Sequence, residues 1–268
     1  MKPTRRTLIA LAAVALATPA FAQGMKAPAK GKTVGTVLVT GANRGIGLEI
    51  AKAYAAGGYK VIGTARKPAE ATDLNALAKS NPNVTVEQLD VTSDAEIDAL
   101  AAKYKGVAID ILVNNAGVTG DTNKQRFGSI DYTDFAAVML TNVKGPLKIS
   151  EAFIDNVAAS GQKRIAVITS SEGSIAGVTA NRQPFYRGSK AAVNMVMRNV
   201  AYAVKDKGVI VTLVNPGPVD TDMMKGARGR MPLREVPTAA KDVIAVIAKT
   251  TMEKTGTFQS FDGTDLPW

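Results

Sequence analysis

Short apolar runs rich in β-branched residues alternate along this chain with longer stretches in which apolar residues recur every three or four positions. The short runs are continuously apolar, which is typical of strands covered on both faces of a sheet. Strands that alternate with amphipathic helices indicate βαβ units and a parallel sheet. The predicted strands are residues 36–40, 60–65, 84–89, 109–114, 164–169, 209–215 and 257–261. The predicted helices are residues 45–56, 73–80, 93–105, 134–160, 184–205 and 238–250.

This order of elements predicts an α/β fold of the Rossmann-like, doubly wound type, with a parallel seven-stranded sheet and helices on both faces. No linker, repeat or low-complexity run divides residues 33–268, so we expect one domain there. Ligands of such sheets bind beyond the carboxyl ends of the strands. The residues that follow each strand are therefore the candidates for chemistry.

The N-terminal segment has a different pattern. A basic start precedes an apolar stretch of about ten residues and an A-x-A site at residues 20–22, which is typical of a cleaved export signal. The apolar stretch is too short to span a bilayer, which takes roughly 20 residues. We predict a signal peptide over residues 1–22, a flexible lead-in over 23–32, and an exported, periplasmic protein with no stable membrane span. A membrane anchor or a disordered leader is the alternative.

The paired arginines Arg5 and Arg6 favour the twin-arginine form of that signal. The match to the pattern S/T-R-R-x-F-L-K is partial, because Leu8 replaces the phenylalanine and Ala10 the lysine.

The chain contains no cysteine and no histidine. These absences exclude a disulfide framework, a thiol nucleophile, a Ser-His-Asp triad and zinc sites of the usual type. Acid–base chemistry near neutral pH must then come from a carboxylate, a lysine or a tyrosine with a shifted pKa. The formal net charge of +10 permits an anionic ligand, but no basic stripe is interleaved with aromatic residues, so we predict no nucleic-acid partner.

A glycine-rich turn follows the first predicted strand, with Gly41, Gly45 and Gly47 spaced as G-x-x-x-G-x-G. Glycines let the backbone approach a pyrophosphate, which then lies on the N-terminus of the next helix. Taken alone, the motif also fits an ordinary tight turn.

Motifs after the later strands complete a family pattern. They read Asn114-Asn115-Ala116-Gly117, Tyr186-Arg187-Gly188-Ser189-Lys190 and Pro216-Gly217. With the glycine-rich turn, they resemble the short-chain dehydrogenase/reductase family in order, over essentially residues 33–268. Residues 256–268 are similar to the C-factor-like and sniffer-like branch of carbonyl reductases. The resemblance implies an enzyme that interconverts a small-molecule carbonyl and an alcohol by hydride transfer with a nicotinamide cofactor.

The resemblance also implies which residues contact that cofactor. Asp90 and Val91 correspond to an adenine-contacting pair, and Thr221 to a contact of the nicotinamide carboxamide. The full predicted set is Gly41, Asn43, Arg44, Gly45, Ile46, Gly47, Arg66, Asp90, Val91, Asn115, Ala116, Gly117, Tyr186, Lys190, Pro216, Gly217, Val219 and Thr221.

Charge near the second strand distinguishes the two nicotinamide cofactors. NAD-preferring sites place an acid about 20 residues past the glycines, on the ribose 2′-hydroxyl. Here Arg66 and Lys67 follow that strand and no acid is within reach, while Arg44 lies inside the glycine turn. Guanidinium groups pair with a 2′-phosphate, so we predict NADP, with NAD the less favoured cofactor. Two solvated surface arginines are the alternative.

Tyr186 and Lys190 are four residues apart and share a helix face. The lysine charge and the nicotinamide are expected to lower the phenol pKa from ~10 toward neutrality. Tyr186 is then the general acid/base. The family pattern S-x-x-G assigns the substrate-oxygen donor to Ser170, with Ser171 as the alternative, and it matches Asn142 to a fourth catalytic residue.

Pro146 lacks the N–H that would bond the Asn142 carbonyl in a helix. We expect that freed carbonyl to hold a water that links Lys190 to solvent; a plain proline kink is the alternative.

Residues 222–232 are rich in methionine and glycine and predict a mobile substrate lid, or else a solvated loop. The substrate itself is not readable from loops of this kind, no metal site is predicted, and a homo-oligomer is left open. Two other classes of function also stay open. One is a dinucleotide-binding sensor or structural protein without turnover, and the other an enzyme that retains its cofactor and performs internal redox chemistry.

Overall fold

The computed structural model describes residues 33–268, so the predicted signal and lead-in lie outside the described residues. Residues 33–268 form one seven-stranded sheet in the order β3-β2-β1-β4-β5-β6-β7, and all neighbouring strands are parallel. The strands are β1 (Thr36–Val39), β2 (Lys60–Ala65), β3 (Val84–Gln88), β4 (Ile111–Asn114), β5 (Arg164–Ile168), β6 (Ile210–Asn215) and β7 (Phe258–Ser260). The prediction of a doubly wound parallel sheet is confirmed.

Helices cover both faces of this sheet because successive strand residues point to opposite sides. In β1, Val37 and Val39 belong to one buried core and Leu38 to the other. The helices of the described part are α1 (Gly45–Ala56), α2 (Thr72–Ser80), α3 (Asp94–Lys103), α4 (Phe135–Met139), α5 (Gly145–Ala152), α6 (Ile154–Ala158), α7 (Pro184–Ala203) and α8 (Val236–Lys249). In residues 33–268 we find no helix with the length and apolar character needed to cross a membrane.

The prediction of one continuous helix over residues 134–160 is wrong. A π-helical segment, Leu140–Lys144, separates α4 from α5, and the Gly145 N–H donates to the Leu140 carbonyl, a step of five residues. Pro146 explains the break, since it cannot donate the bond that would continue the α-helix. A second break at Phe153 separates α5 from α6. The other predicted elements end within two residues of the observed bounds.

The strand order reverses between β1 and β4, which lie side by side in the middle of the sheet. The loops that follow β1 and β4 diverge at such a switch point and leave a crevice at the carboxyl edge. The predicted site residues all lie in or next to the segments at this edge.

Candidate active site and dinucleotide cleft

The turn between β1 and α1 adopts backbone conformations that favour glycine. Gly41 and Gly45 have φ angles of 62° and 57°. At Gly47, in the first turn of α1, a Cβ would overlap the Gly41 carbonyl oxygen. Asn43 is partly buried, and Ile46 packs on the core. The glycines therefore let this turn pack closely against the segment after β4. The N-cap residue Arg44 leaves the first N–H groups of α1 without a side-chain cap, and the glycine spacing predicts a pyrophosphate at this helix N-terminus.

Hydrogen bonds between β1 and the segment after β4 fix the shape of this turn. The Thr40 hydroxyl accepts the N–H groups of Asn115, at 3.0 Å, and Ala116, at 3.1 Å. The Asn115 side-chain amide donates to the carbonyls of Thr40 and Gly41, at 2.9 and 3.1 Å. Asn115, predicted as a cofactor contact, thus braces the glycine turn. Sequence reasoning missed Thr40 as a bracing residue, although it opens the T-G-x-x-x-G-x-G motif.

The two predicted 2′-phosphate ligands differ in their surroundings. Arg66 is exposed after β2, and no carboxylate of residues 33–268 forms an ion pair with it. Arg44 is exposed as well, but its guanidinium lies 3.5 Å from the Asp222 carboxylate, beyond β6. Arg66 is therefore free for an anion, whereas the charge of Arg44 is partly balanced by Asp222.

The predicted adenine contacts lie after β3. The Asp90 carboxylate accepts the backbone N–H and the hydroxyl of Thr92, at 2.9 and 2.7 Å. Val91 is buried, and a Cβ at Gly145 would come within 2.9 Å of its carbonyl oxygen. The turn after β3 is thus fixed by Asp90 and packed against the start of α5.

The catalytic candidates Ser170, Tyr186 and Lys190 come together at the carboxyl end of β5. The buried Lys190 ammonium donates to the Ile168 carbonyl at 2.9 Å and lies 5.6 Å from the centre of the Tyr186 ring. The Ser170 side chain hydrogen-bonds Tyr186, whereas Ser171 is exposed. The geometry therefore favours Ser170 over Ser171 as the partner of the phenol.

Burial opposes the predicted electrostatics of this pair. It raises the pKa of Tyr186, the hydrogen bond from Ser170 lowers that pKa by less, and the Glu172 charge raises it further. Burial also lowers the pKa of Lys190 to about 8. Burial thus raises the phenol pKa in this structure, and the expectation that the Lys190 charge and the nicotinamide together lower it stays a prediction.

Asn142, in the π-helical segment, is bonded on three sides. Its side-chain amide donates to the Val118 carbonyl at 2.8 Å and to the Ser189 hydroxyl at 2.9 Å, and its side-chain oxygen accepts the Val118 N–H at 2.9 Å. The Ser189 hydroxyl donates in turn to the Tyr186 carbonyl at 2.7 Å. Ser189, which sequence reasoning missed, therefore connects the first turn of α7 to Asn142.

Gly117 places the segment after β4 beside these groups. A Cβ at Gly117 would lie 3.4 Å from the Asn142 side-chain oxygen and 3.7 Å from the Lys190 ammonium. The backbone of the N-N-A-G motif thus faces two catalytic candidates. A ligand that follows the carboxyl edge from the glycine turn reaches this place next.

The loop after β6 lies over the glycine turn. A Cβ at Gly45 would lie 3.4 Å from the Thr221 methyl group, and the Pro216 carbonyl accepts a bond of 2.6 Å from Arg234. Gly217 has a φ of 75° and packs against Arg234. Val219 is buried and pairs with Arg234 in an isolated parallel bridge. Arg234 therefore ties the end of the loop after β6 to its start, and residues 220–233 form the segment between these two points.

That segment holds the predicted lid. Residues Asp222–Ala227 form a 3₁₀ helix, and Arg228 forms an ion pair of 2.5 Å with Asp220. The large side chains of Met223 and Met231 are exposed. Flexible apolar side chains on a segment held at its ends by Arg234 and between them by exposed ion pairs suit an adaptable cover of the cleft.

Gln125 ties the long loop after β4 to α7, a role that sequence reasoning missed. It is buried, its amide donates to the Thr119 carbonyl at 2.8 Å, and its side-chain oxygen accepts the Phe185 N–H at 3.1 Å. Tyr132 and Phe135 pack their rings on Phe185, at 5.8 and 5.2 Å. A lone glutamine in a polar loop gives no sequence signal for contacts over such a separation.

Comparison with known proteins places this architecture. The family model for short chain dehydrogenases matches residues 35–231. The C-signal protein of Myxococcus xanthus is 34% identical over 160 residues, which cover 60% of this chain and 93% of that protein.

Two solved structures share the fold over nearly their whole length. The carbonyl reductase Sniffer of D. melanogaster aligns with a TM-score of 0.80 and 27% identity, over 87% of this chain and 99% of that one. The NADPH-bound carbonyl reductase from chicken fatty liver aligns with a TM-score of 0.80 and 30% identity, over 88% of this chain and 100% of that one. The resemblance to the branch of C-factor-like and sniffer-like reductases is confirmed.

Proposed function

Because this chain belongs to the short-chain dehydrogenase family and is an oxidoreductase, we propose that it interconverts a carbonyl and an alcohol with NADP(H). In this proposal Tyr186 exchanges the proton. The observation that carries it is the convergence of Ser170, Tyr186 and Lys190 at the end of β5, beside Gly117.

The residues of the cleft fit a dinucleotide from end to end. The uncapped N-terminus of α1 suits the pyrophosphate, and Thr221, in the loop that starts at Pro216, lies next to Gly45 in the glycine turn. The unpaired Arg66 suits a 2′-phosphate, which the related chicken reductase has in its bound NADPH. A nicotinamide bound in this cleft would supply or accept the hydride.

The chain's own residues supply the proton chemistry. The Ser170 hydroxyl donates a hydrogen bond to the substrate oxygen, and the Tyr186 phenol transfers its proton to that oxygen as charge develops on it. A protonated Lys190 stabilises the phenolate that remains. Since Pro146 has no N–H to bond the Asn142 carbonyl, that carbonyl is the place for a water between Lys190 and solvent.

The test is Tyr186→Phe, with Tyr202→Phe, an exposed tyrosine on the same helix, as the matched control. We expect Tyr186→Phe to abolish NADPH-dependent reduction of a panel of aldehydes while NADPH binding stays within about threefold, because the phenol O–H is the only group removed. Tyr202→Phe should change neither. Turnover by Tyr186→Phe within tenfold of the parent removes this residue from the mechanism. NADPH binding by a parent that turns over no substrate would instead favour the sensor class.

We also propose that the protein is exported folded, with nucleotide bound. The cleft is built from residues of β1, β4, β5 and β6, so only the folded chain can bind a dinucleotide, and the cytoplasm is where NADP(H) is available to it. Twin-arginine transport carries folded proteins, so Arg5 and Arg6 would direct the folded, nucleotide-bound chain to that route. Replacing both by lysine should leave the precursor in the cytoplasm, measured by cell fractionation against a single Lys2→Ala control. Normal export of the double-lysine variant would show that the pair is an ordinary basic start.

A further inference from the structure

Glu172 has no part in the chemistry described so far, yet it lies two residues after Ser170. One of its carboxylate oxygens accepts a bond of 2.7 Å from Arg182, and the other lies 3.1 Å from the Nε of Arg187. The Arg187 nitrogen lacks hydrogen-bond geometry, so this second contact is an ion pair. The Arg187 side chain is only 10% exposed and that of Glu172 26%, against 71% and 69% for the surface pair Lys67 and Glu70.

These contacts join three segments of the active site. Glu172 belongs to the turn that carries Ser170, and Arg187 directly follows Tyr186 in α7. Arg187 also donates to the Ala180 carbonyl at 2.7 Å, and Arg182 lies at the end of the same loop. The Ser170 turn, the loop of residues 174–183 and the first turn of α7 are therefore held by one carboxylate.

We infer that Glu172 is a positioning residue, whose ion pairs with Arg187 and Arg182 set the Ser170 and Tyr186 hydroxyls at the separation that proton transfer requires. The inference rests on the proposed function for its kinetic readout. Without Glu172 the buried guanidinium of Arg187 loses its counter-charge, and it must either draw in solvent or move. Either response displaces the residue next to Tyr186.

The carboxylate also acts on Tyr186 through its charge. The charged groups near the phenol are Lys190 on its own helix and Glu172 on the turn after β5, and Glu172 is paired with Arg187 and Arg182. The negative charge of Glu172 raises the pKa of Tyr186 and so favours the protonated phenol that carbonyl reduction uses. Removal of that charge lowers the pKa, and reduction is then lost at a lower pH.

Four variants test this inference: Glu172→Gln, Glu172→Asp, Arg182→Gln and the surface control Glu70→Gln. We expect Glu172→Gln to lower kcat/KM at least about tenfold, to leave NADPH affinity within twofold, and to shift the alkaline limit of reduction to lower pH. Glu172→Asp keeps the charge but shortens the reach, so its rate should fall while the alkaline limit stays. Arg182→Gln should move that limit upward, and Glu70→Gln should change nothing.

Two outcomes overturn the inference. One is Glu172→Gln with kcat/KM within twofold of the parent, and the other is a loss of rate with an unmoved alkaline limit, which shows a structural role alone. If the parent has no turnover, the proposed function fails, and the inference is tested instead by ultraviolet titration of the Tyr186 phenol. Glu172→Gln must then lower its pKa, with Tyr186→Phe as the blank. If Glu172→Gln does not fold, Glu172→Asp and Arg182→Gln are compared with the parent instead. An alkaline limit of reduction that shifts in Glu172→Asp, which keeps the charge, contradicts the inference.

Discussion

The two sides of the cleft are held together by different forces. On the dinucleotide side, the Thr40 hydroxyl and the Asn115 amide make four hydrogen bonds to backbone groups, all between 2.9 and 3.1 Å. On the substrate side, ion pairs form between the turn after β5 and the residues up to the start of α7, and others form within the loop after β6. The large apolar side chains exposed on those loops are Ile175, Val178, Met223 and Met231.

This difference indicates which side of the cleft can change shape. Exposed ion pairs contribute about 0–1 kcal/mol each and exchange partners readily, whereas four partly buried hydrogen bonds to the backbone hold the glycine turn in one arrangement. The dinucleotide side is therefore preformed, while the loops after β5 and β6 can change shape around a substrate. Glu172 and Arg187 are the exception, since their ion pair is mostly buried.

Lys190 lies where the two sides of the cleft meet, and its substitution has the largest effect that we expect on turnover and stability. Its pKa of about 8 means that burial of the charged ammonium costs the folded protein roughly 3 kcal/mol at pH 7. Lys190→Met also loses the bond to the Ile168 carbonyl, worth about 1 kcal/mol, so we expect it to abolish turnover yet raise the free energy of unfolding by about 2 kcal/mol.

The pH dependence of the free energy of unfolding tests whether the buried charge of Lys190 is the cause of this gain. Between pH 8 and about 10.5 the unfolded chain holds the Lys190 proton that the folded chain has released, so the parent gains stability as pH rises. The advantage of Lys190→Met should shrink across this window in urea unfolding without NADPH, while the exposed Lys79→Met shows no such trend. A constant advantage would mean that the gain comes from packing and not from charge.

The same division explains how much the sequence could predict. The glycine turn, the Tyr186/Lys190 pair and the order of strands follow from local spacing, because a motif within one turn or helix fixes its own geometry. The Gln125 bond to Phe185 and the ion pair of Glu172 with Arg187 depend on how distant loops approach each other. The raised pKa of Tyr186 escaped prediction for a related reason: burial is the sum of many distant neighbours, whereas Lys190 is visible in the sequence.

A methyl group added on the rigid side should lower stability and NADPH affinity more than a methyl group added on the adaptable side. In Gly47→Ala the new Cβ overlaps the Gly41 carbonyl oxygen, and backbone held by hydrogen bonds cannot give way. We expect a loss of about 1–3 kcal/mol in stability and at least tenfold in NADPH affinity by isothermal titration.

The matched control for that prediction is Gly188→Ala, also in a helix but with no atom within 4 Å of the new Cβ. It should stabilise α7 by about 0.5–1 kcal/mol and leave NADPH binding unchanged. Equal effects of the two changes would contradict the view that the dinucleotide side is the rigid one.

Charge reversal at Arg66 tests the free cation of the dinucleotide side. Arg66→Asp turns an attraction to the 2′-phosphate into a repulsion, and a charge-assisted hydrogen bond contributes roughly 1.5–3 kcal/mol. The ratio of NADPH to NADH affinity should fall at least tenfold, while Arg230→Asp on the exposed lid should not change it. An unmoved ratio would leave Arg44 as the sole support for NADP.

The smallest effect is expected where the two sides touch, at the ion pair between Arg44 and Asp222. Both side chains are about 70% exposed, so the pair is worth at most about 1 kcal/mol and is screened by salt. Because Arg44 cannot hold Asp222 and a 2′-phosphate with the same groups, Asp222→Asn should raise NADPH affinity about two- to threefold in low salt. NADH affinity should not change, and the gain should vanish at high salt. Asp220→Asn is the control, since its carboxylate pairs with Arg228 instead. Weaker NADPH binding by Asp222→Asn would reverse the interpretation, because Asp222 would then hold Arg44 in place for the nucleotide and the lid would belong to the preformed side.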